Sequence, residues 1–591
     1  MAQTAARTGE KTSRSKKELS LRYFKICLTY FKLCLTYFLP PPTEHPAIQT
    51  KTAKPATPAR TKLHPPGKTT NIPPPPKLRR KQARHKLNDM GTTYTPTQAI
   101  ANRRRHIMLA VFCIIAFFAN NTALRPDIME TRNLQTAREM VEGDHWLVPM
   151  MNGNYRLEKP PLPTWIAAVV DAVSPDNLAA QRAMSGLAGC MMVVFFYLLG
   201  KRVTGRDDYA FIASLMLITC YNIILMARTA TWDIYCHAFM LGGIYYLTRG
   251  LYEERRIWRH MLLAGTFMGL SFMSKGPVSF YALLLPWIIA VVLFRRPTMR
   301  GRIAPLMAMI AVCLVLSSWW YVYILITHSE AANYVINKES DSWRNRSVRP
   351  WYYYWRFFTE TGVWTPLMFI ALAIPFWRRK LAASKHNYTF AMAWVLAALV
   401  LLSLMPEKKM RYLLPMMIPC CFAMAYLIIY WNDKRGKPTA RNVVLVVAAV
   451  FAAAELFAMP FIARQFYNPD YNSISQTYGD PRLKDVPFYY NKANPLRIEV
   501  VYASHRIIRP LEFSSPRIAD TLAAKLPCAL VTRETADKEL PAEVFNRFDT
   551  VYIGKFNDSN RSRFANYGKD ASFIYNVTLL KPKKNDRQQD R

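Results

Sequence analysis

Five stretches of this chain, Ala183–Gly200, Tyr209–Ala227, Ile303–Thr327, Tyr388–Pro406 and Tyr412–Trp431, contain no Asp, Glu, Lys or Arg. At about 1.5 Å per residue, each is about long enough to cross a ~30 Å hydrocarbon core as a helix. Ile107–Leu124, Gly276–Phe294 and Val443–Ile462 behave alike, the last with the lone charge Glu455. Ile234–Thr248, Met261–Ser274 and Gly362–Trp377 need flanking residues to complete a span. A chain patterned this way satisfies its backbone inside helices within a bilayer, which predicts a polytopic α-helical membrane protein of about eleven spans.

Orientation follows from Lys and Arg in the short loops. Arg103-Arg104-Arg105, Lys201-Arg202 with Arg206, Arg249 through Arg259, Arg295 through Arg302, Arg378-Arg379-Lys380, and Lys434-Arg435 with Lys437 and Arg441 all fall on one side of an eleven-helix count. The amino end is then cytoplasmic in the inner (plasma) membrane. The loop 126–165 and the region from 463 onward face the periplasm, or a lumen in a eukaryote. The net charge of +39 does not point to nucleic acid. It sits in the amino-terminal tail and cytoplasmic loops, where topology and anionic membrane lipids account for it. The ten cysteines show no metal or disulfide spacing, and Cys528 is alone in the exported carboxyl-terminal part.

Residues 1–102 are basic and proline-rich, too poor in apolar residues for a core, and are expected to be disordered. Within them YFKICLTYFKLCLTYF, Tyr23 to Phe38, repeats with a period of seven. Either it is an interfacial amphipathic segment, or residues 1–89 are an upstream extension and translation starts at Met90; the second reading is preferred. A cleaved signal peptide is not expected, because the first apolar run begins only at Ile107. Residues 103–462 form the membrane domain. Residues 463–591 read as a small α/β domain, with strands over Arg497–Tyr502, Cys528–Thr532 and Thr550–Ile553 and helices over Ser515–Lys525 and Ala542–Arg547. It carries no nucleophile motif and no metal spacing, which suits recognition or stability.

Chemistry concentrates in the first outer loop. Leu134, Ala137 and Val141 recur at helical spacing, with Arg132, Arg138, Glu139 and Glu142 on other faces, as in a helix lying along the membrane interface. Asn152-Gly153 marks a turn, and Pro160-Pro161 leads into a second short helix. From these residues alone, an inert structured loop stands at even odds with a catalytic one.

The ordered string E-x-R-x-x-x-x-A-R-E-M, G-D-x-W-L-V-P, N-G and L-E-K-P-P-L-x-x-W, read from Glu130 to Trp165, resembles the integral-membrane glycosyltransferases of the dolichyl-phosphate-mannose protein mannosyltransferase superfamily. It is most similar to their bacterial branch, which includes the aminoarabinose transferases acting on lipid A. ARTATWDIYCHAF around Asp233, FMSKGPV around Lys275 and KKMRYLLPMMIP from Lys408 resemble further family segments. The resemblance implies a GT-C fold and a sugar donor on a polyprenyl phosphate. It also implies inversion at the anomeric carbon on the non-cytoplasmic face and a lipid or protein acceptor.

Such a reaction needs a carboxylate to activate or orient the acceptor, and cations to stabilise the leaving phosphate. The family's Asp-Glu pair reads Met129-Glu130 here, so Glu130 is assigned the acidic role, Asp127 one turn earlier is its backup, and Asp233 is the second carboxylate. Lys159 resembles the lysine that meets the carrier phosphate; Arg132, Lys275, Lys409 and Arg411 are further phosphate candidates, with Lys408 beside them. The counterpart of Glu158 can help bind a divalent metal ion, but the histidine expected before Pro350-Trp351-Tyr352 is replaced by Arg346-Ser347-Val348-Arg349. His237 reads as a packing residue. A transporter or flippase is the competing class; it requires ionisable groups at mid-membrane and repeated halves, and only Glu455 lies within a run. A scaffold with a receptor-like exported domain leaves the Glu130 loop unexplained.

Overall fold

The computed structural model describes residues 96–373, 385–465, 470–559 and 571–583. The readings for residues 1–95, including the Tyr23–Phe38 duplication and Met90, lie outside these residues, whereas 96–102, expected to be disordered with them, are the first turns of the helix Pro96–Phe118. Helices occupy the described part of every apolar run: Pro96–Phe118, Leu178–Thr204, Trp232–Tyr252, Ile257–Lys275, Ile303–Thr327, Thr365–Ala373, Lys385–Leu404, Leu414–Arg435 and Thr439–Ala453 among them. Among the described residues five helices are long and apolar enough to cross a membrane, or six if one bent pair counts as a single span.

That bent pair is Tyr209–Ala227, expected as one straight helix. It breaks into Asp207–Ile218 and Tyr221–Ala227, inclined by 67°. The cause is local. The Thr219 hydroxyl donates back to Leu215 O at 2.8 Å and accepts the Trp364 indole N–H at 2.8 Å, so a side chain wedges the ladder where the chain turns. Two other spans carry a π-helical turn, Phe280–Leu284 and Ala454–Ala458. Each overlaps the turn before a proline, Pro286 and Pro460, whose ring clashes with the carbonyl four residues back; the wider turn relieves that clash. Glu455 sits in the second of these turns and is not free: its carboxylate pairs with Arg228 at 2.5 Å.

Leu414–Arg435 is enclosed almost completely by its neighbours, whereas Val443, Val446 and Val450 of Thr439–Ala453 point outward, as a lipid-facing helix requires. Close packing elsewhere relies on glycine. A Cβ at Gly265 would lie 2.4 Å from the carbonyl oxygen of Met309, a backbone atom with nowhere to move. Gly265→Ala is therefore expected to force Ile257–Lys275 away from Ile303–Thr327 and lower stability by about 1–3 kcal/mol. Thermal unfolding of the purified protein in detergent checks this; an unchanged midpoint would refute it.

The carboxyl-terminal residues form a five-stranded mixed sheet in the order β4-β3-β5-β7-β6. The strands are β3 Phe488–Asn491, β4 Ile508–Leu511, β5 Cys528–Thr532, β6 Phe548–Asn557 and β7 Ile574–Pro582, after a short hairpin of β1 Met150–Met151 and β2 Asn154–Tyr155 in the outer loop. β3 runs parallel to β4 and β5, while β7 is antiparallel to β5 and β6. Central β5 is buried throughout: Cys528 and Leu530 face one core, Ala529 and Val531 the other, the two-residue alternation of a strand covered on both sides. The strands at 528–532 and 550–553 and the helices near 518–523 and 542–547 lie where the sequence places them.

The reading of Arg497–Tyr502 as a strand is corrected, since Ile498–Ser504 is a helix. Its β-branched residues favour a strand, but it joins the parallel strands β3 and β4. A parallel connection must leave the sheet plane and return, and a helix on one face does so.

This helix packs on Ile128–Glu142, the interfacial helix of the outer loop. Arg138 donates to the Tyr502 carbonyl at 2.9 Å, and the Asn152 amide pairs with both the N–H and the C=O of Ile508 at 2.8 Å each. Asp176 accepts from Arg138 and meets His505 Nδ1 at 2.8 Å. Burial alone would raise the Asp176 carboxyl; the His505 hydrogen bond and the Arg138 guanidinium outweigh it and hold the group down at about 2. A depressed carboxyl stabilises the folded contact above its unfolded value of about 3.9, and that stability drains as pH falls toward 2. With the side chain 38 % exposed, solvent screening leaves on the order of 1 kcal/mol. The protection of 498–508 against hydrogen exchange, taken relative to the rate of an unstructured chain at the same pH, is expected to fall between pH 4 and 2 (about the interval between those two values), and Asp176→Asn should flatten that response. Identical pH profiles for both proteins would disprove the assignment.

Candidate active site

Three segments converge on the outer side of the helices. The first is the start of the interfacial helix. Asp127 is its N-cap, one carboxylate oxygen accepting from the backbone N–H groups of Met129 (2.9 Å) and Glu130 (2.8 Å). Its other oxygen lies 3.9 Å from the Arg411 guanidinium, and the side chain is half exposed. Glu130, three residues on, is fully buried. Arg182 grips both its oxygens at 2.7 Å, and the Ala230 N–H donates to it at 2.8 Å. Arg182 also donates to the carbonyls of Asn121 (2.6 Å) and Leu124 (2.7 Å). Glu130 thus ties the loop helix to Leu178–Thr204 and to the strip just before Asp233. It was expected at the reacting centre, and the structure places it inside this node instead.

The second segment begins Trp232–Tyr252. Asp233 is buried, with one oxygen on Lys275 Nζ and the other without a hydrogen-bond partner in the structure. Lys275 Nζ lies 5.0 Å from the centre of the Tyr412 ring. His237, one turn deeper, is wholly buried and among the described residues neither ring nitrogen has a hydrogen-bond partner, so it is not the hydrogen-bonded packing residue expected. The third segment is 407–412: Lys409 pairs with Glu407, and Tyr412 donates to the second Glu407 oxygen at 3.2 Å. Lys408 turns away and donates to the Met405 carbonyl. Asp127, Asp233, Lys275, Arg411 and Lys409 are therefore gathered around one region.

The remaining candidates form an adjacent, more exposed group. Glu158 pairs with Arg156 and, at 3.3 Å, with Lys338; Lys159 pairs with Glu339 at 3.2 Å. Burial would raise the Glu158 carboxyl, but Arg156 and Lys338 hold it below its ordinary value. Its neighbours are cations, and among the described residues no three His, Cys, Asp or Glu side chains converge. These residues do not fit a divalent ion. Arg132 has its Nε unbonded, and burial with the nearby Arg156 and Arg346 guanidiniums pushes it below its usual value, as expected where positive charge awaits an anion. The Arg156 guanidinium stands 5.9 Å from the Trp232 ring, next in sequence to Asp233, linking the two groups.

Sequence reasoning missed Arg182, Arg156, Glu407 and Tyr412 as members of the site. Arg182 alone had a visible signal: an arginine at the mouth of an apolar helix needs a buried partner.

A helical membrane protein with carboxylates and cations gathered at one set of helix ends is the class these features define. Comparison with known proteins carries this further. Residues 158–321 match the family described as dolichyl-phosphate-mannose-protein mannosyltransferase. The undecaprenyl phosphate-alpha-4-amino-4-deoxy-L-arabinose arabinosyl transferase of Pseudomonas savastanoi pv. phaseolicola is 27 % identical over 345 residues, covering 54 % of this chain and 61 % of that protein. Transferase 1 of that name from Pseudomonas fluorescens is 26 % identical over 376 residues, covering 59 % and 62 %. This chain spans about three fifths of the length of these relatives. The crystal structure of ArnT from Cupriavidus metallidurans bound to undecaprenyl phosphate superposes with a TM-score of 0.59 at 14 % identity, over 80 % of this chain and 97 % of that one, which shows the fold. The chain thus resembles the mannosyltransferase family over residues 158–321 and the aminoarabinose transferases over somewhat more than half its length, and it shares the fold of ArnT.

Proposed function

We propose that this protein transfers a sugar from a polyprenyl-phosphate carrier to lipid A or another glycolipid on the periplasmic face, with inversion at the anomeric carbon. The observation that carries the reading is the meeting of Asp127 and Asp233 with Arg411 and Lys275 at the outer helix ends. The names of the relatives supply the donor class. In this reading the chain crosses the inner membrane about eleven times, with a cytoplasmic amino end and the site and carboxyl-terminal sheet outside.

Asp127 takes the acidic role first given to Glu130. It is the more exposed of the two, and the oxygen that does not cap the helix faces Arg411 rather than a buried partner. It orients a phosphate acceptor through that acceptor's proton, or removes the proton of a hydroxyl acceptor as it attacks the anomeric carbon. As the bond to the carrier phosphate breaks, Arg411 and Lys275 face the negative charge that develops on the leaving oxygen. Asp233 holds Lys275 in place, Lys409 and Tyr412 are held by Glu407, and Arg132 and Lys159 meet the carrier phosphate on its way in. The Glu130–Arg182 node sets the distance between the two carboxylate-bearing segments. Glu455, the one charge within an apolar run, pairs with Arg228.

The test is transfer of radiolabelled sugar from total polyprenyl-phosphate sugars to membrane lipids and proteins, comparing wild type with Arg411→Gln at matched expression. Wild-type label in the lipid fraction, reduced about 10- to 1000-fold by the substitution, is expected. Label in the protein fraction would replace the lipid acceptor with a Ser or Thr acceptor. No wild-type transfer from a competent donor pool would reject the enzyme reading.

A further inference from the structure

The segment Trp351–Trp364 is 3-10 helical up to a break at Gly362, and its buried residues, Tyr354, Phe357, Thr361 and Trp364, recur at intervals of three or four. Tyr354 and Phe357 face the core, while Trp351, Tyr352 and Trp355 are 61 %, 58 % and 52 % exposed. Arg356 and, just upstream, Arg346 and Arg349 are exposed beside them. Among the described residues, none of these three arginines has a carboxylate within ion-pair distance. Beyond the positive φ of Gly362 (64°), which lets the chain turn against Tyr221, the next helix, Thr365–Ala373, also shows apolar side chains outward, Phe369 at 54 % and Ile370 at 46 %. The aromatic face therefore continues into a surface that lipid tails must cover. Its composition, Trp and Tyr with Arg, is that of the bilayer's headgroup level. Three guanidiniums without a carboxylate partner among the described residues add affinity for phosphate.

The buried face of this segment is fastened to the site. Tyr354 Oη accepts from Lys409 N at 2.8 Å and donates to Lys409 O at 3.1 Å, and Lys408 N donates to Ser347 O at 3.1 Å. Arg346 in turn neighbours Arg132 electrostatically.

Resting on the transfer reading above, we propose that Trp351, Tyr352 and Trp355 with Arg346, Arg349 and Arg356 form the entry platform for the phosphorylated headgroup of the acceptor lipid. The rings lie in the headgroup layer and the guanidiniums grip its phosphate. The headgroup then passes from Arg349 and Arg356 to Arg346. The acceptor rather than the donor is chosen because Lys275 and Arg411 already supply an inner pair of cations for one phosphate, and a transfer between two lipids has a second anionic partner to seat.

The experiment measures binding, not turnover, on the full chain in phosphatidylcholine nanodiscs. The probes are bis-phosphorylated lipid A, the same lipid dephosphorylated, phosphatidylglycerol and undecaprenyl phosphate. On wild type, bis-phosphorylated lipid A is expected to bind at least about tenfold tighter than its dephosphorylated form and than phosphatidylglycerol, since one guanidinium–phosphate contact is worth about that factor. The exposed double variant Arg349→Gln/Arg356→Gln should weaken that binding by about 10- to 100-fold and leave undecaprenyl phosphate binding unchanged. Equal binding of phosphatidylglycerol would reduce the platform to a general membrane belt and overturn the proposal. So would retained lipid A affinity in the double variant, or loss of undecaprenyl phosphate instead. The wild-type comparison of phosphorylated and dephosphorylated lipid stands even if the variant folds poorly. Specific binding without any transfer would reject the enzyme reading alone, whereas transfer to lipid with unselective binding would reject the platform alone.

Discussion

Asp127→Asn is expected to lower sugar transfer by about 10²- to 10⁴-fold while leaving the fold intact. The substitution isolates charge from structure. Asparagine is as good an N-cap as aspartate, and its side-chain oxygen keeps the two bonds from the N–H groups of Met129 and Glu130. What disappears is the negative charge facing Arg411 at 3.9 Å and the ability to take a proton. The measurement is initial-rate transfer of labelled sugar beside a thermal melt of the same preparation. A few-fold loss, with an unchanged melt, would remove Asp127 from the chemistry and return attention to Asp233. If the acceptor is a phosphate monoanion, whose attacking oxygen is already ionised while a neighbouring oxygen keeps the proton that Asp127 accepts, the effect should sit at the lower end of the range, because orientation rather than proton removal is then lost.

Arg182→Leu should cost about 3–5 kcal/mol of stability, the largest effect expected of any single substitution in the chain. Arg182 and Glu130 are 2 % and 0 % exposed, so the change strands a carboxylate in an apolar interior with one remaining donor, Ala230 N–H. The Asn121 and Leu124 carbonyls lose their donor as well. Glu130→Gln alone should do less damage, since the amide stays neutral and keeps an acceptor for Ala230. The double variant should be less destabilised than the sum of the two, because removing both partners removes the unpaired charge. Melting midpoints of the four proteins at one scan rate decide the matter. Additive effects, or a loss under ~1 kcal/mol for Arg182→Leu, would show that the pair is not the coupled node its geometry describes. Transfer by a folded Glu130→Gln protein separates positioning from chemistry, since a positioning residue tolerates the neutral isostere far better than a proton acceptor does.

The outer loop was legible because its signals are local. The periodicity of Leu134, Ala137 and Val141 yields the helix Ile128–Glu142, and Asn152-Gly153 closes the β1–β2 hairpin with both residues at positive φ (52° and 72°). Its acidic residues were visible but not their assignments. Glu130 and Asp127 lie one turn apart on one helix, and nothing in their spacing says which meets Arg182 and which meets solvent. The strand expected at Arg497–Tyr502 failed for a related reason: β-branched content is local, whereas the demand for a crossover helix arises only once β3 and β4 are known to be parallel.

The apolar runs by themselves determined that this chain lives in a bilayer, because charge-free segments of that length have no other stable solvent. The basic loops between them predict a sidedness, and the dense motif from Glu130 to Trp165 carries the family resemblance. Tertiary structure decided where the helices bend, since Thr219 wedges its ladder only with Trp364 beside it. It decided that Glu455 is paired, because Arg228 is 227 residues away in sequence. It also decided which carboxylates are spent on architecture and which stay available. A buried charge takes its role from the partner that folding brings to it, and that partner, as with Arg182 for Glu130, lies on another helix.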